Sequence, residues 1–208
     1  MPTATRAVPP TKTKSVPVPR VAGTLEPVEA SMNPHAGHMA LTLEERGRLL
    51  RQDDAWREME ARLLSVGGDR LAYLPDHHAA ELVKRGEVYA PKRRQLVRGQ
   101  PNGCHGNAAA LWLGRRPKVS LVTGWALSED GCWRQHTWCW KKQGQVWIES
   151  TIHREIGFGI ELDGMEGLKF AFGNLPTDQL TKLARAAWSA DPGFAREVGV
   201  YPAAGGAR

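Results

Sequence analysis

From Thr42 onward apolar residues return at helical spacing: Leu49, Leu50, Trp56, Met59, Leu63 and Val66 share one face, and Gly67-Gly68 ends the run. Thr42 and Glu45 form a capping-box pair ahead of it, so the pattern predicts a single helix from Thr42 to Val66. A second helix is expected from Asp76, after Pro75, to Gly86. His77 and His78 sit in its first turn as surface residues, where the helix dipole disfavours their protonation. Leu180, Leu183, Ala184, Ala187 and Trp188 form the stripe of a third helix, capped by Thr177 and closed at Asp191-Pro192. Residues 193–208 read as a C-terminal tail.

Between 100 and 162 the period changes to two. Val119–Leu127, Cys132–Trp140 and Gln145–Thr151 read as strands, linked by the turn sequences 128–131 and 141–144. Ile156–Leu162 is a fourth strand with a turn at Asp163-Gly164. If both links are four-residue hairpin loops, His136 lies directly opposite Glu149, Trp138 opposite Trp147, Thr123 beside His136 and Trp125 beside Arg134. Opposed residues share a sheet face, so the imidazole and the carboxylate can hydrogen-bond. Upstream, Gln100-Pro101-Asn102-Gly103 breaks the chain while Ala108-Ala109-Ala110 favour helix, which puts Cys104 at a helix N-terminus. Free N–H groups and the positive dipole end favour thiolate there. If that helix packs on the His136 face, a nucleophile, a base and an orienting acid converge.

These elements predict an α+β domain over 42–192. A central helix with Cys104 at its N-terminus packs on an antiparallel sheet of about four strands, flanked by helices at both ends. Residues 1–40 hold seven of the fourteen prolines and no aromatic residue, and read as a disordered, basic arm. Its His35 and His38 lack a third ligand nearby, so no metal site is expected.

Charge and cysteine usage narrow the function classes. With 28 basic and 22 acidic residues the asymmetry is mild, and there is no dense basic stripe, which argues against nucleic acid as the main partner. No apolar run approaches the ~20 residues that span a bilayer, and Met1 to Arg20 hold no apolar block, so no secretory signal is expected. Three cysteines with no CxxC fit a reducing compartment, so a cytoplasmic, membrane-free protein is expected. Cys132 and Cys139 read as packing residues, His105 as poorly placed to serve Cys104, and His153 as a strand-end surface residue.

Cys104 at a helix start, His136 in His-Thr-Trp and Glu149 in Trp-Ile-Glu-Ser-Thr together resemble the transglutaminase-like branch of the papain-like cysteine hydrolases. The resemblance covers roughly 100–162. It departs from the family in having Glu149 where Asp or Asn is usual, and in the short spacing between Gln100 and Cys104. It implies thiol hydrolase or acyltransferase chemistry on an amide or related acyl bond of a peptide, protein or small amide, through Cys104, His136 and Glu149, with no cofactor. The Cys104 backbone N–H, with the side chain of Gln100 or Asn102, would hold the oxyanion, and Trp138 and Trp147 would wall the substrate cleft. The rival expectation is a non-catalytic module that uses a tryptophan-rich sheet face, with six of the eight tryptophans between Trp112 and Trp147, to bind peptide or single-stranded nucleic acid.

Overall fold

The computed structural model describes residues 42–200, except Leu74, Pro75 and His77. The 1–40 arm, with His35 and His38, and residues 201–208 lie outside the described residues, as does His77.

The Thr42–Glu45 capping box is present, with the Glu45 amide on the Thr42 hydroxyl and the Glu45 carboxylate on the Thr42 amide. The helix behind it breaks in two, however: α1 spans Leu43–Leu50 and α2 spans Asp54–Val66. Asp53 makes the break, because its carboxylate caps the free amides of Ala55 and Trp56 and starts a new helix. A short strand β1 (Arg70–Leu71) follows, then α3 (Ala79–Arg85), which begins later than expected because Asp76 forms a turn with His78 and Ala79 first.

Among the described residues the sheet has seven strands, more than the four or so expected. Beyond β1 these are β2 (Glu87–Tyr89), β3 (Arg93–Leu96), β4 (Ser120–Leu127), β5 (Cys132–Lys141), β6 (Val146–Glu149) and β7 (Gly157–Leu162). Their order is β2-β7-β4-β5-β6-β3, with β1 pairing β5 off this path. The sheet is mixed rather than antiparallel, since β1 runs parallel to β5 and β3 parallel to β6. The three extra strands are short and mostly exposed, so they carry no alternating pattern to read.

Both hairpin registers differ from expectation. The β4–β5 turn has three loop residues, not four: Ser128 N–H bonds Cys132 O, and Gly131 takes φ 75°, the left-handed position such a turn needs. The register therefore slips by one, pairing Gly124 with His136, Thr123 with Thr137 and Trp125 with Gln135. The β5–β6 loop lies at 142–145, pairing Lys141 with Val146 and Trp140 with Trp147. That slip is two residues, so Glu149 moves from opposite His136 to a diagonal position without changing face.

α4 (Cys104–Arg115) packs on the other face of the sheet from His136. Its Ala108, Ala109, Trp112 and Leu113 form a core with Leu121, Cys139 and Ile148, joined by α5 (Gly164–Asn174), α6 (Thr177–Ala190) and α7 (Pro192–Glu197). A second core on that face joins Trp56, Met59, Leu63 and Leu82 to Trp125, Trp133 and Phe158. The opposite face curls on itself around Tyr89, Val122, Ala126, Trp138, Trp140 and Trp147. Gly157 permits that curl: a Cβ there would lie 2.7 Å from the Trp147 ring, although β6 and β7 are separated by two strands.

Three C-terminal expectations also change. Asp163-Gly164 is no turn but the start of α5, capped by a reciprocal Asp163–Glu166 box that its three glycines disguised. Thr177 is the first helical residue of α6 and makes no side-chain cap. The tail assigned from 193 starts instead as α7, whose Phe194 is buried against Trp112.

Candidate active site

The loop before α4 is set by a residue the sequence reading passed over. The Asn107 side chain accepts from the Gln100 amide at 2.9 Å and donates to the Gln100 carbonyl at 2.8 Å, clamping residues 100–103 onto the first turn of α4. Asn102 takes φ 57° within this loop. Gly103 caps the helix without a side chain, so first-turn amides stay free for the Cys104 sulfur.

Although α4 and His136 lie on opposite faces, they meet. β5 pairs with β6 only at 139–141, and a gap opens beside His136 and Thr137 where β6 turns away. The tip of α4 fills that gap. There the Cys104 sulfur comes within the influence of the His136 ring and of the backbone N–H groups of Thr137 and His105, all of which favour its thiolate form. Burial pushes the thiol pKa up, but these neighbours outweigh it and hold it below the ordinary thiol value. Cys139 is the contrast: fully buried with its sulfur on the Ala108 carbonyl, its pKa is pushed up to about 12. Cys132 is buried too.

His136 is 1% exposed, with Nε2 2.8 Å from Glu149 Oε2, which leaves Nδ1 for the thiol. Burial opposes its charge, yet the influence of Cys104 and the bond to Glu149 raise its pKa above the ordinary value. Glu149 is also 1% exposed and accepts five hydrogen bonds. Oε2 takes His136 and the Trp147 indole N–H (3.1 Å), and Oε1 takes the Ser150 amide (2.8 Å), the Thr151 amide (2.9 Å) and the Thr151 hydroxyl (3.0 Å). Burial raises its pKa, but this set of donors overrides it and brings it to about 2. The Trp-Ile-Glu-Ser-Thr run is thus a local device for holding one ionised carboxylate in a dry site.

Cys104 and His136 open on a cleft of about 690 Å³, whose wall includes Gln100, Asn102, Ser150 and Arg154. The expected substrate wall of Trp138 and Trp147 is not found there. They are 0% and 1% exposed, stacked at 4.3 Å between centroids, and lie behind the His136 ring. All six tryptophans from Trp112 to Trp147 are buried, so they offer no exposed stacking platform. His105 turns to the other side of the sheet, its Nδ1 2.6 Å from Thr137 Oγ1. Burial, the largest influence on it, lowers its pKa. His153 is exposed, in the loop between β6 and β7 rather than at a strand end. Among the described residues no cluster of three or more His, Cys, Asp or Glu could hold a metal ion, and no helix is long and apolar enough to cross a membrane.

No family model, no curated protein and no solved structure matches this chain.

Proposed function

We propose that the chain is a cysteine hydrolase or acyltransferase of the papain-like or transglutaminase-like type, acting on an amide or related acyl bond. One observation carries the reading: the thiol at the start of α4 meets a buried imidazole that rests on a buried, ionised carboxylate. A structural cysteine needs neither neighbour; a nucleophile needs both.

In this reading His136 Nδ1 takes the Cys104 proton, and the thiolate attacks the acyl carbon. The charge on the tetrahedral oxygen meets the Cys104 backbone N–H and the side chain of Gln100 or Asn102, both of which line the cleft. The imidazolium then protonates the leaving amine or alcohol. Water or an amine, deprotonated by His136, resolves the thioester and regenerates the thiol. Glu149 holds the ring with its proton on Nε2 throughout.

Mass spectrometry of adducts trapped on acid quenching of peptide and small-amide donors tests this. Cys104 should carry the acyl mass, and Cys104→Ser and His136→Ala should abolish it. Absence of any adduct, together with equal and sluggish alkylation of all three cysteines, would overturn the reading.

A further inference from the structure

Three arginines, Arg98, Arg134 and Arg154, line the cleft that contains Cys104 and His136. They differ in how far their charge is already answered. Arg134 is bound by Asp130 through two contacts of 2.7 and 2.8 Å. Arg98 is exposed, and no ion pair to it is found among the described residues. Arg154 is only 8% exposed, and its single side-chain bond joins Nη1 to the Ser128 hydroxyl. Its Nε is buried without a hydrogen-bond partner, and no carboxylate pairs with it among the described residues. Ser150, 3% exposed in the same cleft, likewise has a buried hydroxyl with no partner.

A buried guanidinium with no carboxylate in direct contact, in the same cleft as a second unused donor, costs stability unless something completes it. The position of Arg154 is also fixed in advance. The Arg94 guanidinium donates to the Arg154 and Glu155 carbonyls at 3.0 and 2.9 Å, and the Glu155 amide bonds the Leu127 carbonyl at 3.2 Å. With its backbone held this way and Nη1 on the Ser128 hydroxyl, the planar fork of Arg154 matches the two oxygens of a carboxylate. We propose that Arg154, with Ser150 and Arg98, forms an anion subsite beside Cys104, and that the acyl donor carries a carboxylate which docks there. The inference rests on the thiol acyl chemistry proposed above and narrows its substrates to anionic amides or esters.

The test compares two alkylating reagents of nearly equal size, iodoacetate and iodoacetamide, on Cys104 of the full chain. Reading their rates as a ratio cancels any change in thiolate fraction. The iodoacetate/iodoacetamide ratio should exceed that of a free thiol, fall about tenfold in Arg154→Gln and less in Arg98→Gln, and recover in part in Arg154→Lys. If Arg154→Gln fails to fold, the wild-type protein decides: at constant ionic strength, succinate should slow iodoacetamide labelling of Cys104 and succinamide should not. A ratio within twofold of wild type in folded Arg154→Gln, or equal effects of succinate and succinamide, overturns the subsite. Rapid, Cys104-selective labelling by iodoacetamide in that case leaves the thiol chemistry standing, whereas its absence removes the chemistry itself.

Discussion

Glu149→Gln isolates the role of the carboxylate, because it changes one atom's hydrogen-bonding sense and almost no volume. Oε1 accepts three donors and Oε2 two, but a carboxamide has only one accepting oxygen. Placing that oxygen at the Oε2 site would leave the NH2 facing two fixed backbone amides, those of Ser150 and Thr151. Placing it at the Oε1 site keeps all three of those bonds and sets the NH2 against Trp147 and His136. The second arrangement is better, since His136 can shift its proton to Nδ1 and accept at Nε2. The Trp147 indole can only donate, so one buried bond is lost, at a cost of about 1–3 kcal/mol. The reactive consequence is larger. With Nδ1 protonated, the imidazole can no longer take the Cys104 proton, and the thiol returns to an ordinary pKa near 8.5 or above. At pH 6.5 only about one such thiol in a hundred is ionised. The greater nucleophilicity of a higher-pKa thiolate offsets part of that, so iodoacetamide labelling of Cys104 at pH 6.5 should slow by about 10- to 100-fold. The assay is timed alkylation with peptide mass spectrometry, alongside urea denaturation. A rate within threefold of wild type in a folded variant would show that Glu149 does not set the state of His136.

Turnover of any acyl donor should give a bell-shaped pH profile: the acid limb reports the depressed Cys104 pKa and the alkaline limb the raised His136 pKa, readable from kcat/KM against pH. Because the Glu149 pKa is about 2 in the folded chain against 4.5 ordinarily, its contribution is full above pH 4.5 and is lost as pH falls toward 2. That contribution is on the order of 3 kcal/mol, and denaturation at stepped pH should show a shallower acid decline in Glu149→Gln. Gly157→Ala drives a methyl into the Trp138–Trp147 stack and should cost about 1–3 kcal/mol in urea denaturation. Asn107→Ala removes both bonds to Gln100 and should speed amide exchange in residues 100–103 while leaving the His136–Glu149 contact intact.

What the sequence makes legible follows from the range of the interaction that decides each feature. The Thr42–Glu45 box and the Cys104 helix start are local, and both stand where the pattern puts them. His136 and Glu149 share a face despite a wrong loop position, because a slip of two residues preserves strand parity; the one-residue slip at Gly131 does not, and it moves Thr123 to Thr137. The Asp53 break was hidden by an apolar stripe that runs through it. β3 could not be read at all: Arg93–Leu96 is polar and exposed, and is a strand only because its backbone pairs with β6, more than fifty residues away. Which face α4 covers is a tertiary choice as well. So are the unpaired Arg154 Nε and Ser150 hydroxyl, which no motif marks.

The meeting of the Cys104 sulfur with the His136 ring underlies all of this, and the pH dependence of Cys104 alkylation measures it in solution. In the wild-type chain, iodoacetamide should label Cys104 rapidly below pH 7 while Cys132 and Cys139 stay slow, and His136→Ala should push the onset of Cys104 labelling to pH 8.5 or higher. A wild-type Cys104 that labels along the curve of an ordinary free thiol, unmoved by His136→Ala, would contradict the account.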